Sequence, residues 1–185
     1  VTELYLGSGI TDVGLREVAK HKQLTALCLY NCDEISDGGL KQVAKLTKLK
    51  KLFLPSQITH KGLEEVAKLQ KLRCLDLYNM QINDEGLKVL TKMKQLSALN
   101  ISSYKSADPE TQALINLHLS SKNLSRQFFQ PSPKSKKEAL HRAPNKPTDV
   151  KRLGNLTQLT MLGLGGNQLT ELPIGLEKLT QLTEL

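Results

Sequence analysis

The sequence contains no tryptophan, and phenylalanine and tyrosine bring its aromatic content to only 4% of 185 residues. A core without large rings must be filled by aliphatic side chains, which suits an array of similar layers. No run of about 18 apolar residues occurs, so no membrane segment is expected in this chain. Its three cysteines, Cys28, Cys32 and Cys74, lack the spacing of a disulfide framework, and free thiols favour a reducing, cytoplasmic location.

The formal net charge of +8 is distributed unevenly along the sequence. Half of it falls in residues 105–150, where Lys134, Lys136 and Lys137 stand among prolines and serines. This composition predicts an irregular basic insertion or linker over residues 120–147. Contact of that segment with nucleic acid or an acidic partner is one alternative function, but linkers are often basic for solubility alone, so nucleic acid is the less favoured partner.

A three-residue phrase, leucine–any–leucine or isoleucine, recurs five times in the first hundred residues. It begins at Leu4, Leu27, Leu52, Leu75 and Leu99, in steps of 23 to 25 residues. Side chains of a strand alternate between its two faces, so each phrase predicts a short strand whose two aliphatic residues are buried together.

A second shared phrase follows each predicted strand and reads Ile-Thr-Asp-x-Gly-Leu in its first copy, at residues 10–15. The second residue of the phrase is of the kind that caps a helix by accepting a hydrogen bond from its free N–H groups; these residues are Thr11, Ser36, Thr59 and Asn83. Apolar residues then recur at helical spacing, and lysines gather near each predicted helix end. Each unit is therefore a strand plus a helix that needs neighbours to bury its apolar face.

These phrases resemble leucine-rich repeats. Residues 1–104 are similar to cysteine-containing and bacterial-type repeats, with Cys32 at the cysteine position, and residues 159–185 resemble the common LxxLxLxxNxLxxLP form. The resemblance implies an α/β solenoid, a curved horseshoe with a parallel sheet on its concave side and helices on its convex side. It also implies that Asn167 is buried and bonded to neighbouring loop backbone, and the segment Ile174–Leu179 predicts a short or 3₁₀ helix.

The repeats divide the chain into three parts. We expect an array of about five regular or semi-regular repeats over residues 1–119, the insertion over 120–147, and a continued, truncated array over 148–185. Leu117–Leu119 fits the strand phrase, and Thr148 restores the helix-start phrase. Two separate arrays joined by a linker remain the alternative to one interrupted solenoid. The chain begins and stops inside a repeat, so we expect it to be a fragment.

The residues beside the strand leucines should point away from the core and line the concave face. Tyrosine on an exposed sheet is typical of binding surfaces, because it buries a large area at little entropic cost. Aromatic residues are also favoured in strands generally, which is the alternative explanation. We predict that a partner contacts the outward residues of five strand phrases: Tyr5, Cys28, Tyr30, Asn31, Lys51, Phe53, Asp76, Tyr78, Asn79, Asn100 and Tyr104.

The sequence contains no recognisable catalytic, cofactor or metal site. Its four histidines, His21, His60, His118 and His141, share no metal-ligand spacing with the cysteines, and the glycines of residues 163–166 lack the spacing of a phosphate loop. We therefore predict a non-catalytic protein–protein interaction scaffold without cofactor, whose protein partner the sequence does not identify. Resemblance to F-box-type repeats implies an alternative, the substrate-recognition part of a larger enzyme or ubiquitin-ligase-type complex.

Overall fold

The strand phrases assemble into one open parallel sheet. The computed structural model describes residues 1–101, 153–165, 167 and 175–183. Each strand within these residues is three residues long, and the strands lie side by side in the order of the sequence. They are β1 (Glu3–Tyr5), β2 (Ala26–Cys28), β3 (Lys51–Phe53), β4 (Cys74–Asp76), β5 (Ala98–Asn100) and β6 (Met161–Gly163).

The leucines at the strand centres lie next to one another across the sheet. Leu27 is paired with Leu4 on one side and with Leu52 on the other, and the same register continues to Leu162. The central leucines from Leu27 onward are buried, whereas Leu4 in the first strand is half-buried. Each buried leucine contributes about 1.5–3 kcal/mol relative to an exposed one. The predicted strand alternation is therefore confirmed.

Strand β6 pairs directly with β5, although their central residues, Leu99 and Leu162, are 63 positions apart in sequence. Besides the strand pairing, the hydroxyl of Thr160 donates a hydrogen bond to the carbonyl of Ser97 at 3.1 Å. The described strands thus belong to a single sheet. The predicted strand at Leu117–Leu119, the insertion at 120–147 and the helix start at Thr148 lie outside the described residues, and the division into three parts stays a prediction.

Among the described residues, four α-helices form the second layer and close the core against the sheet. They are α1 (Asp12–Val18), α2 (Leu40–Val43), α3 (His60–Val66) and α4 (Asp84–Leu90). Thr11, Thr59 and Asn83 each accept a hydrogen bond from a backbone N–H in the first turn of the helix that follows, at 2.9–3.3 Å. These three caps were predicted from the sequence and are confirmed.

The expected cap at Ser36 differs from the others. Helix α2 begins only at Leu40, and the hydroxyl of Ser36 accepts from the N–H of Gly38 at 3.1 Å in a turn ahead of the helix. Two consecutive glycines, Gly38 and Gly39, follow the cap in this repeat alone among the four. Glycine loses more conformational freedom in a helix than other residues, which accounts for the later start.

In two repeats, an aspartate binds the serine or threonine that precedes the helix of the next repeat. The carboxylate of Asp12 accepts hydrogen bonds from the backbone N–H and the hydroxyl of Ser36, at 2.9 and 2.5 Å. Asp37 holds Thr59 in the same way, at 2.8 and 2.6 Å. A side chain at Gly39 would overlap the Asp12 carboxylate, so the glycine of this phrase makes room for the aspartate of the preceding repeat.

The last described repeat has the asparagine contact that its resemblance implies. Asn167 is buried, and its side-chain N–H donates to the carbonyls of Ile101 and Leu164 at 3.2 and 2.8 Å. A 3₁₀ helix follows at Leu176–Lys178, as the short segment there predicts. Pro173 lies outside the described residues.

Two earlier repeats use other residues at the same position of the turn. Gln57 donates from its side-chain amide to the carbonyls of Cys32 and Ile35, at 2.9 and 3.0 Å. The thiol of Cys32 lies 3.3 Å from the carbonyl of Gly7. Each of these side chains satisfies backbone carbonyls of the preceding repeat, which would otherwise be buried at a cost.

Candidate functional site

The sheet has a second face, which points away from the helices. We call it the outer sheet face, and it comprises the first and third residues of each strand and, where the structure describes it, the second residue after the strand. It contains a cluster of its own, separate from the core: Cys28 and Phe53 are buried and pack against the half-buried Tyr5 and Tyr30. The rings of Tyr30 and Phe53 meet edge to face, with centroids 5.6 Å apart and planes at 67°.

Three of the predicted contact residues are less accessible than a binding role at the surface requires. Cys28, Phe53 and Asp76 point to the outer sheet face as expected, but they are only 4%, 2% and 3% exposed. Neighbouring strands are about 4.8 Å apart, so a tyrosine on one strand covers the side chains beside it. These three side chains therefore lie beneath the residues exposed on the outer sheet face and do not form its surface.

Asp76 is a buried carboxylate at the centre of the outer sheet face. It accepts hydrogen bonds from the backbone N–H of Tyr78 at 2.9 Å and from the side-chain amide of Asn100 at 3.1 Å, and it interacts with the hydroxyl of Tyr30. Burial raises the pKa of Asp76 above its usual value, although the hydrogen bonds that it accepts act in the opposite direction. The carboxylate links three of the predicted contact residues into one group.

Tyr5 and Tyr30 on this face are held by their hydroxyl groups. The hydroxyl of Tyr5 donates to the carboxylate of Glu3 at 2.8 Å, and burial together with this bond raises the pKa of Tyr5 to about 12. The hydroxyl oxygen of Tyr30 is buried, and burial followed by the nearby charge of Asp76 raises the pKa of Tyr30 well above its ordinary value. Both phenols remain neutral at physiological pH, and their rings are fixed in orientation.

Asn31 and Asn79 have a backbone role that the sequence-based prediction did not include. Their φ angles are 59° and 61°, in the left-handed region that asparagine tolerates better than most residues. They turn the chain away from strands β2 and β4 toward the helices. Both side chains are half-buried, so the turn and a contact with a partner are compatible.

The remaining predicted contact residues are distributed along the same face. Lys51 begins β3, Asn100 ends β5 and Tyr78 follows β4, and each is half-buried. The structure thus brings ten of the eleven predicted residues to one side of the sheet or to the turns at its end. Tyr104 lies outside the described residues.

The cysteines are on opposite sides of the sheet, as expected. Cys32 belongs to the core, Cys28 to the outer cluster, and burial raises their pKa values to about 12 and about 11. Within residues 1–101 and the described part after residue 152, no group of three or more metal-ligating side chains comes together. No helix in that part of the chain is long and apolar enough to cross a membrane.

The group around Asp76 was not foreseen as a unit. The signal in the sequence is an aspartate at the outward position of one strand phrase and an asparagine at the matching position of the next. Pairing the two requires the register between repeats, which places Asp76 beside Asn100. The bonds from Asp12 to Ser36 and from Asp37 to Thr59 were not predicted either, because they too depend on how neighbouring repeats stack.

Solved structures of other proteins include chains similar to this one. An internalin from Listeria monocytogenes has a similar structure, with a TM-score of 0.52 and 22% sequence identity over the whole of this chain and 47% of the internalin chain. A leucine-rich-repeat protein of Leptospira interrogans matches with a TM-score of 0.47 and 21% identity, over the whole of this chain and 48% of its own. Neither the models of protein families nor the curated proteins give a match.

The chain therefore has the leucine-rich-repeat fold, an α/β solenoid of strand-plus-helix units. It spans about half the length of the two solved structures that it resembles.

Proposed function

We propose that the protein is a non-catalytic scaffold that binds a protein partner on its outer sheet face. One observation carries the proposal: this face has an aromatic cluster of its own, although no described element covers it. A solvated sheet face ordinarily carries polar side chains. Aromatic residues such as these tyrosines and the phenylalanine are enriched at the centres of protein interfaces, where most of the binding energy arises.

The arrangement of the face also favours a specific partner. The rings of Tyr5 and Tyr30 are already fixed by Glu3, Phe53 and Asp76, so a partner would not have to order them on binding. Such preorganisation raises affinity because less conformational entropy is lost in the complex. Lys51 and the amide of Asn100 offer polar contacts at the side of the cluster.

The proposal is tested by crosslinking from defined positions. A photoreactive amino acid at Lys51, on the outer sheet face, is compared with the same amino acid at Lys41, which is exposed on helix α2. In an extract of the source cells, we expect a discrete crosslinked protein from position 51 and none from position 41. Equal crosslinking of the same protein from both positions would contradict the assignment to this face.

Once the partner has been identified, variants measure the contribution of the tyrosines to binding affinity. Tyr5 and Tyr78 are changed to alanine together, and Tyr30 is kept because its ring packs on Phe53 and its hydroxyl interacts with the buried Asp76. Calorimetry should give at least a tenfold loss of affinity, in line with about 1.4 kcal/mol or more for an interface anchor. The exposed Val13, on helix α1, provides the control substitution to alanine. Unchanged affinity in a folded double variant would refute the role of the tyrosines.

A further inference from the structure

A strongly basic surface runs along one edge of the solenoid, where each helix returns to the next strand. We call it the basic edge and define it as residues 19–26, 44–51, 67–74 and 91–98. It contains no aspartate or glutamate. Its cationic residues are Lys20, Lys22, Lys45, Lys48, Lys50, Lys51, Lys68, Lys71, Arg73, Lys92 and Lys94.

The opposite edge, where each strand leads into the next helix, is acidic. Its segments, residues 6–14, 29–39, 54–62 and 77–86, contain Lys61 as their one lysine or arginine. Their acidic residues are Asp12, Asp33, Glu34, Asp37, Asp84 and Glu85. Charge is therefore segregated across the solenoid, and the field of the basic edge is not cancelled by interspersed acids.

Little of the charge on the basic edge is neutralised inside the chain. All its cations are exposed except Lys51, which is half-buried. Lys20 and Lys68 form salt bridges, each with a glutamate of its own helix at 2.6 Å. Lys48 and Lys22 bind neutral oxygens, the side chain of Gln23 and a backbone carbonyl.

Compensation of the helix dipoles does not account for so many cations. A dipole is stabilised by a cation within the last turn, and the effect falls off beyond it. Lys50, Lys51 and Arg73 lie instead at the beginnings of strands β3 and β4. Adjacent strands are about 4.8 Å apart, so these like charges repel one another in the isolated chain. An external polyanion would relieve that repulsion.

We propose that the basic edge binds the phosphate backbone of double-stranded nucleic acid. The cations continue across four successive repeats, which fits a long, linear polyanion, and the whole chain has a pI near 9.4. All but one of them are lysines, which act as point charges and suit contacts that do not depend on sequence. This surface meets the outer sheet face only at the first residues of strands β2 to β5, and Lys51 is the one cation that the two surfaces share.

The composition of the basic edge disfavours the other polyanions. It has no tyrosine, phenylalanine or tryptophan on which unpaired bases stack, so single strands would lack their usual platform. The large hydrophobic residues exposed among the described residues are Val1 and Val13, and neither lies on this edge. Membrane attachment usually combines basic charge with an inserted apolar group, which this edge does not offer.

The test compares two variants with equal loss of charge. In one, Lys50, Lys71, Lys92 and Lys94 on the basic edge are changed to glutamine. In the other, four exposed cations of the helices are changed to glutamine: Arg16, Lys41, Lys61 and Lys88. Binding to duplexes of random sequence, one of DNA and one of RNA, is followed by fluorescence anisotropy over a series of salt concentrations. Circular dichroism confirms that both variants fold.

The unmodified protein should bind at low salt with an affinity that falls steeply as salt is added. The edge variant should bind on the order of a hundredfold more weakly at about 0.1 M salt. The slope of the logarithm of its binding constant against the logarithm of salt concentration should be less steep by roughly 0.9 for each phosphate contact removed. For the helix variant, the same slope should differ from that of the unmodified protein by no more than about 1. Equal losses in both variants would overturn the proposal, because only total charge would then matter.

Three further outcomes would also overturn it. The first is loss of duplex binding when Lys134, Lys136, Lys137 and Lys146 of the middle segment are changed to glutamine while the edge variant still binds. The second is binding to vesicles of phosphatidylcholine and phosphatidylserine at a salt concentration that abolishes duplex binding. The third is equal affinity for poly-glutamate, which would make an acidic protein the better partner.

Discussion

The carboxylate of Asp37 holds Thr59, 22 residues further along the chain, by two hydrogen bonds of 2.8 and 2.6 Å. One comes from the backbone N–H of Thr59 and the other from its hydroxyl. The same hydroxyl caps helix α3 by accepting from Lys61. The start of one helix is thereby fixed by a side chain of the repeat before it.

Replacing Asp37 with alanine should lower the free energy of unfolding by about 2 kcal/mol. The substitution leaves the N–H and hydroxyl of Thr59 without the charged acceptor, and hydrogen bonds to charged groups contribute more than neutral ones. Urea denaturation measures the loss. Asp33→Ala, an exposed aspartate of the same loop, is the control and should change stability by less than about 0.5 kcal/mol. A loss no larger than that of the control would show that the bond contributes little.

Gly39→Ala should be strongly destabilising, by more than about 2 kcal/mol, because its methyl group would overlap the carboxylate of Asp12. In an Asp12→Ala background, the same substitution should cost at least about 1 kcal/mol less, since the overlapping group is gone. A double-mutant cycle measured by urea denaturation gives this coupling. Gly14→Ala is the matched control: its methyl group would meet Ile10 at an ordinary 3.4 Å. Additive effects at Gly39 and Asp12 would refute the steric explanation.

Asp76 should make the stability depend on pH in a direction opposite to that of a surface aspartate in a salt bridge. Its pKa is raised in the folded protein, so the folded state holds this proton more tightly than the unfolded chain. The contribution is complete below the unfolded pKa of about 3.9 and is lost as pH rises through the folded value.

The matching variant is Asp76→Asn, which cannot ionise. The unfolding free energy of the unmodified protein relative to this variant should fall as pH is raised from about 3 to about 7. Denaturation curves at a series of pH values give the difference, and Asp33→Asn controls for loss of a surface charge. A difference that stayed constant, or rose with pH, would mean that Asp76 is not held in the environment described.

The three cysteines should react at very different rates. Burial and pKa values of about 11 and about 12 leave Cys28 and Cys32 almost without thiolate at pH 8, whereas Cys74 is half-buried. We expect a disulfide reagent to modify one thiol per chain rapidly and all three only after denaturation. Cys74→Ser should remove the rapid phase. Rapid reaction that persisted in this variant would contradict the burial of the other two.

Much of the fold follows from the spacing of residues along the sequence. Strands were predicted at the phrases that begin with Leu27, Leu52 and Leu75, because side-chain alternation is a pattern of neighbouring residues; the strands begin one residue earlier than these phrases. The caps at Thr11 and Asn83 were predicted for a similar reason, since a cap and its acceptor N–H are two or three residues apart. Local patterns of this kind can be read without knowing how the repeats stack.

The features that were missed depend on neighbours from another repeat. Phe53 was expected at the surface, but it is covered from the adjacent strand by Tyr30, whose position relative to it is set by the register of the sheet. The short helix α2 departs from the pattern because glycine occupies two positions after Ser36. Strand alternation was sufficient to predict which residues share a face of the sheet, but the division of that face into exposed and buried residues required the packing.

The bonds from Asp12 to Ser36 and from Asp37 to Thr59 give the array a direction. In each case the acceptor belongs to the earlier repeat and the donors to the later one. During synthesis, the earlier repeat of each of these two pairs leaves the ribosome first, so its carboxylate is present before the donors of the later repeat. Folding of the solenoid from its N-terminal end would therefore have both acceptors in place when α2 and α3 form, whereas folding in the opposite direction would not.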